Sequence, residues 1–314
     1  MFSSIISPDF FASAIRIAIP LALAGLGGVY SEKSGVVNIG LEGMMLTSAF
    51  IAVAGTNFTK NVWFGILFAV IIGILLGLIH AIVSVSFKAN QIVSGVAINL
   101  FASGITVFLS WLWFHETQIM ALKNLPTWGF KVPNPGEASS LVRGLIVIFA
   151  HHSPLVYITL VIIIISQILI FRTPFGLRLR SVGEYPQAAD TLGINVVQMR
   201  YIAVLISGGL AGLAGSVLSI EQAHFFVKEM SGGRGFIALA AMIFGKWTPF
   251  GTAAAALLFG IGEALAIRVQ GVYTIPVQFI NMIPYLLAIL VLVGAIGRAT
   301  APAASGTPYE KEIS

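Results

Sequence analysis

The chain has 314 residues, of which 57% are hydrophobic and 9% charged, with no cysteine and a formal net charge of +5. A soluble domain carries about 25% charge. This composition, with a mean hydropathy of +0.96, therefore excludes a soluble globular protein and predicts an all-α, polytopic transmembrane helical bundle. The lack of cysteine excludes disulfides and thiolate metal sites, and the positive charge belongs to loops at a membrane surface, with no nucleic-acid partner implied.

The amino end, Met1-Phe2-Ser3-Ser4, has no basic stretch ahead of the first apolar run, so no cleaved signal peptide is expected. Residues 10–29 form a first span, interrupted by Arg16 and Pro20. The stretch SEKSGVVNIGLEG, 31–43, is dense in glycine and polar groups, and the apolar run after it, 44–55, is short for about 30 Å of hydrocarbon. A broken helix near 31–45 follows, bent or unwound at 36–38, in a place where protein or a water-filled cavity must surround the backbone. Arg16 and Glu32 are expected to sit at or snorkel to an interface.

Residues 62–85 form a clean span whose Gly73 and Gly77 make a small packing face. The next, 91–113, carries Asn99, Ser103, Thr106 and Ser110 on one helical face. A polar loop with Pro126, Pro133 and Pro135 follows, then a short apolar piece at 144–150 and a span at 154–171. His151-His152 reads as two loop histidines at an interface, since a metal needs more ligands.

The interval 172–200, RTPFGLRLRSVGEYPQAADTLGINVVQMR, is the one long polar stretch between strongly apolar regions of the second half. Pro186 suits a first helical position and Gly193 a C′ position, which predicts a short helix near 184–193. It spans roughly two turns, too short to stand alone in water. Its exposed side chains are small, Ala188 and Ala189, with Leu192 as anchor, so it is shaped to sit against another surface. Asn195 caps the next helix, from Val196 onward, which runs into the span 201–220, where Ser207, Gly208, Gly212 and Ser216 stack for close helix contact. Then come a short apolar piece at 235–247, a span at 251–267 carrying Glu263, and a span at 276–296 carrying Asn281 and Pro284. Residues 1–298 make one transmembrane unit, and 299–314, rich in Ala, Pro, Ser and Gly, a flexible cytoplasmic tail.

Positive residues put the 172–200 loop, Lys33, Lys88, Lys246 and Arg298 on the cytoplasmic side and the 115–143 loop outside. That gives about nine crossings, within a range of about eight to ten because the pieces at 44–55, 144–150 and 235–247 are short. No phosphate-cradling G-x-x-x-x-G-K-[ST] occurs, as Gly245-Lys246 is followed by Trp247. No nucleophile–base pair for an intramembrane hydrolase presents itself, and no cofactor is expected on this chain. Asn38, Glu42, Asn99, Glu263 and Asn281 are expensive in lipid and should face the interior, either lining a path for a polar solute or bonding between helices and capping the breaks.

The stretches 31–45 and 176–196 resemble permease subunits of ATP-binding-cassette importers, the family of the ribose, galactose and branched-chain amino-acid permeases. NQIVSGVAINL (90–100) and GGRGFIALAAMIFGKWTPFGTAAAALLFG (232–260) agree with it, and the likeness covers most of 10–297. Within the family the chain is most similar to nucleoside-type permeases that work with a purine-nucleoside-binding lipoprotein. The resemblance implies a cytoplasmic coupling helix near 184–193, in which Glu184, Ala188, Ala189 and Gly193 match the family pattern. Arg178, Arg180 and Leu192 belong to the same ATPase-facing segment. Tyr185 departs from the pattern, standing where Asn or Asp is frequent. It further implies a separate ABC ATPase subunit, a second permease subunit (the same or different), an extracytoplasmic solute-binding lipoprotein, a cytoplasmic (inner) membrane location and alternating access. A pentose or hexose importer permease and a stand-alone channel or secondary transporter remain as alternatives.

Overall fold

The computed structural model describes residues 7–123, 125–129, 139–270, 277–280, 282, 286 and 299–311. The elements in chain order are α1 (Pro8–Lys33), α2 (Leu41–Thr59), α3 (Val62–Ala81, continued by a π-helical turn Ile82–Ser86), α4 (Gln91–Phe114), β1 (Gln118–Met120), β2 (Trp128–Gly129), α5 (Ser140–Leu145, continued to Ala150), β3 (His151–His152), α6 (Pro154–Arg172), α7 (Pro174–Glu184), α8 (Pro186–Thr191), α9 (Val196–Ser216, continued by a π-helical turn Val217–Ala223), β4 (Phe225–Val227), α10 (Arg234–Phe244), α11 (Pro249–Gln270) and α12 (Val277–Ile280). Among the described residues, six helices are long and apolar enough to cross a membrane: α1, α3, α4, α6, α9 and α11. The span expected at 276–296, with Asn281, lies largely outside the described residues, and Asn281 itself is outside them.

Helix starts follow local chemistry. The side chains of Asn61, Asn90, Thr173 and Asn195 each accept a hydrogen bond from a backbone N–H of the first turn that follows, satisfying donors that have no partner inside the helix. α2 stands at the centre: every residue from Leu41 to Thr56 except Ile51 is buried. It packs against α3, α4 and α9, so protein encloses a helix whose apolar run is short. The two small-residue faces read from the sequence are each other's partner. A Cβ on Gly73 would collide with Gly208 O, and one on Gly77 would lie 2.9 Å from Val204 O. Only glycine lets the α3 and α9 backbones come this close. Among the described residues the sheet content is two antiparallel pairs, β1 with β4 and β2 with β3, which tie connecting loops together. The second pair takes up the backbones of His151 and His152, and His152 Nε2 lies 2.8 Å from Ile148 O.

Several expectations are corrected. α1 is not interrupted: it runs straight through Pro20. Proline deprives the carbonyl four residues back of its donor, and here Gln222 Nε2 supplies that donor, bonding Arg16 O at 2.7 Å. Glu32 does not snorkel; it is buried and accepts from Trp247 Nε1 at 2.6 Å. The tail is not loose over 299–311. Ala304 N donates to Gly183 O at 2.9 Å, Gly306 N donates to Gly35 O at 3.1 Å, and Ala304 and Tyr309 are buried. Composition indicated only that no regular element forms there, and an extended segment can be held by its backbone groups alone.

Candidate functional site

Residues 34–40 separate α1 from α2 inside the bundle, and Ser34, Gly35, Val36, Asn38 and Gly40 are all buried. Non-helical backbone at this depth must find every partner within the protein. Val37 N donates to Gln91 Oε1 at 2.7 Å, and Val37 O lies 2.9 Å from His80 Nε2. A carbonyl only accepts, so Nε2 carries the proton and Nδ1 accepts from Ser94 Oγ at 2.9 Å. Asn99 bridges the two sides of the break, with Nδ2 donating to Ile39 O at 3.1 Å and Oδ1 accepting from Gly43 N at 2.8 Å. Asn38 Nδ2 donates to Ser207 Oγ at 3.0 Å on α9, while its Oδ1 is buried without a partner. Ser31 Oγ donates to Val36 O at 2.6 Å, and Arg200 Nε to Ser34 O at 3.2 Å. Gly35 has φ +89°, a left-handed conformation that a side chain resists, and a Cβ there would sit 2.9 Å from Arg200 Nη2.

Glu42 has a different task. Its Oε1 accepts from Gly233 N at 2.7 Å and its Oε2 from Gly235 N at 2.6 Å. A carboxylate on two free N–H groups at a helix start satisfies both and opposes the positive end of the dipole. Glu42 thus caps α10, whose first residue, Arg234, makes an ion pair with Glu263 on α11. Of the polar candidates, the structure brings Asn38, Glu42 and Asn99 together around the break, with Glu263 one helix further on. The hydroxyls of Thr106 and Ser110 bond carbonyls of their own helix, Ala102 O at 2.8 Å and Thr106 O at 2.7 Å.

Sequence reasoning missed His80, Gln91, Arg200 and Ser207 as holders of the break. The signal was present for His80, a lone imidazole in the otherwise apolar 62–85 run. Gln91 stands only as the first residue of the span 91–113, Ser207 as packing and Arg200 as loop charge.

The second centre is the polar interval after α6. α8 begins on Pro186 and ends in a Schellman-type turn, with Ile194 N bonding Ala189 O at 3.0 Å and Gly193 at φ +80°. The small face points inward: Ala189 is 2% exposed, against the expectation that it lies outside. What α8 presents outward is Tyr185, 63% exposed, and Leu192, 80% exposed. Among described residues Leu192 is the most exposed large apolar side chain, which is costly unless something covers it. Glu184 closes α7 and accepts from Ala303 N at 3.3 Å. Arg178 is exposed, whereas Arg180 is engaged by Gly176 O at 3.3 Å and lies over the Phe171 ring. Gly183 lets α7 press on the carboxyl end of α1, since a Cβ there would collide with Lys33 O.

A family model described as branched-chain amino acid transport system / permease component matches residues 10–293. The chain is 45% identical over 303 residues to the guanosine ABC transporter permease protein NupQ of Bacillus subtilis, covering 94% of each chain. It is 40% identical over 309 residues to the nucleoside ABC transporter permease protein NupC of Lactococcus lactis subsp. cremoris, covering 96% of each. A Haloferax volcanii permease protein, TsgC13, provisionally named for glucose, is 35% identical over 266 residues, covering 82% of this chain and 77% of that one.

Proposed function

Because the chain belongs to the branched-chain amino acid transport system permease family, we propose that it is the membrane permease subunit of an ABC importer whose solute is a purine nucleoside. The observation that carries the solute class is the near full-length identity to permease proteins named for guanosine and nucleosides, at 45% and 40%. The chain is a multi-pass protein of the cytoplasmic membrane and a transport subunit. ATP is hydrolysed on a separate ATPase chain, in keeping with the missing phosphate-binding loop at Gly245-Lys246-Trp247. A second permease subunit and an extracytoplasmic solute-binding lipoprotein complete the importer.

α8 is the coupling helix, and Leu192 and Tyr185 are its contact with the ATPase. Support comes from its exposed apolar tip on an otherwise polar interval, on the side of the bundle to which the positive-residue rule assigns Lys33, Arg172, Arg178 and Arg180. ATP-driven closure of the ATPase pair displaces α8. α7 passes the displacement to the end of α1 at Gly183, and the break at 34–40 is the point at which α1 and α2 change their mutual angle. A broken helix held by side chains from α3, α4 and α9 can shift between arrangements without exposing backbone to lipid.

The test is uptake by proteoliposomes carrying this chain, its ATPase, the second permease and the binding lipoprotein. ATP-dependent accumulation of guanosine with little ribose is expected. Accumulation of ribose in preference would transfer the chain to the sugar branch, and guanosine flux through this chain alone without ATP would make it a stand-alone channel or secondary transporter.

A further inference from the structure

The segment 299–311 runs along the end of the bundle that carries α7 and α8 and touches both of them. Ala303 N bonds Glu184 Oε2 at 3.3 Å, Ala304 N bonds Gly183 O at 2.9 Å, and Lys311 Nζ lies 3.8 Å from Asp190 Oδ2 on α8. The same segment reaches the break between α1 and α2, where Gly306 N bonds Gly35 O at 3.1 Å. It also reaches the α3–α4 turn, where Lys88 Nζ lies 3.3 Å from Glu310 Oε1. Tyr309 is buried in the apolar cluster that contains Val196 and Met199 of α9.

Arg200 joins this strap, 299–311, to the break. It is 1% exposed, with Nε on Ser34 O at 3.2 Å and Nη1 on Thr307 O at 3.0 Å. Among the described residues no carboxylate forms an ion pair with it, and Nη2 has no hydrogen-bond partner. Burying a guanidinium in this way is expensive, and an apolar side chain of similar volume fills such space at lower cost. The favourable element is its place at the carboxyl end of α1, where unpaired carbonyls and the helix dipole attract a cation. What Arg200 achieves there, and an apolar residue would not, is to fix Ser34 of the break against Thr307 of the strap.

We infer that Arg200 is a positioning residue for transport and that the strap 299–311 is the mechanical link between α8 and the break. With the strap seated, α7, α8 and residues 34–36 move as one body. Without it, α8 reaches the break only through the packing of α7 on α1 and through α9, and part of the displacement of α8 is lost as rotation of the α7–α8 arm. The inference rests on the coupling role given to α8 above.

The experiment uses the complete importer with Arg200→Gln, Arg200→Lys, and a chain ending at Arg298, reading ATP hydrolysed per guanosine imported. Arg200→Gln and the shortened chain should raise that ratio at least about fivefold, with ATPase assembly unchanged, the size expected for one link of a coupling network. Arg200→Lys, which keeps charge and donors, should fall between Gln and wild type. An unchanged ratio, or uptake and hydrolysis falling in proportion, overturns the strap. If these variants do not accumulate, Glu184→Cys with Ala303→Cys in the full chain decides, because the natural chain has no cysteine of its own. The disulfide should form, and this variant's uptake should be the same oxidised as reduced, as strap and α7 travel together. Failure to cross-link, or uptake blocked by oxidation and restored by reductant, overturns the link. A wild-type importer that moves no guanosine would instead refute the solute class and leave the cross-link result standing.

Discussion

Glu42 at the start of α2 closes the amino end of α10 at Gly235, with 2.6 Å between Oε2 and the backbone N across 193 positions of sequence. The contact fixes where α10 begins, and with it the pairing of Arg234 with Glu263 on α11. Replacing Glu42 with Ala removes both acceptors and leaves two backbone donors unpaired. The expected loss is about 2–3 kcal/mol of stability, from a charge-assisted cap in a mostly buried place. Glu42→Gln should lose less, keeping one acceptor. Thermal unfolding of the purified chain in detergent reads the difference, and an Ala variant as stable as wild type would remove the cap from the account.

Asn38 and Ser207 join the break to α9 through one buried hydrogen bond. Asn38→Ala and Ser207→Ala should each destabilise by about 1–2 kcal/mol, with a coupling of about 1 kcal/mol in the double-mutant cycle. Additive losses would mean that the pair does not act as a unit.

Two glycines in membrane spans should respond in opposite ways. Gly73→Ala places a methyl against Gly208 O, where backbone cannot yield, so α3 must move off α9 and the folded yield should fall sharply. Gly104 on α4 has nothing within 4 Å of a Cβ, so Gly104→Ala should raise stability by about 0.5–1 kcal/mol through helix propensity. Fluorescence-detected size exclusion after a heating series reports both.

At α8, Leu192→Asp should leave insertion and monomer stability close to wild type, Gly193→Val should cost about 1–3 kcal/mol at the end of the helix, and both should abolish co-purification of the ATPase. Leu192 is the proposed apolar contact, and Gly193 holds a left-handed φ of +80° that a β-branched residue resists. ATPase retained by both variants would move the docking site away from α8.

The sequence made some of this legible because the signals are local. Pro186 and Gly193 mark the ends of α8 by backbone rules that need no tertiary partner. The break at 34–40 shows as glycine and polar residues between two apolar runs. Gly73, Gly77, Gly208 and Gly212 announce close contact, without announcing that the two pairs meet each other. The remainder depends on partners distant in the chain. α1 continues through Pro20 with Gln222 supplying a donor to Arg16 O, and buried Glu32 has Trp247 Nε1 as its donor. The inward turn of Ala189 and the seating of 299–311 were likewise hidden, since composition describes what a segment can bury by itself and not which carbonyls its backbone will meet.

The proposed function requires that α8 face the cytoplasm and meet an ATPase there. Leu192→Cys decides this, because the natural chain has no cysteine and position 192 is 80% exposed. A membrane-impermeant maleimide applied to intact cells should leave this cysteine unlabelled, label it in inverted vesicles, and be excluded there once the ATPase is bound. Labelling from outside intact cells would contradict the orientation and, with it, the transmission of ATP-driven movement to the break.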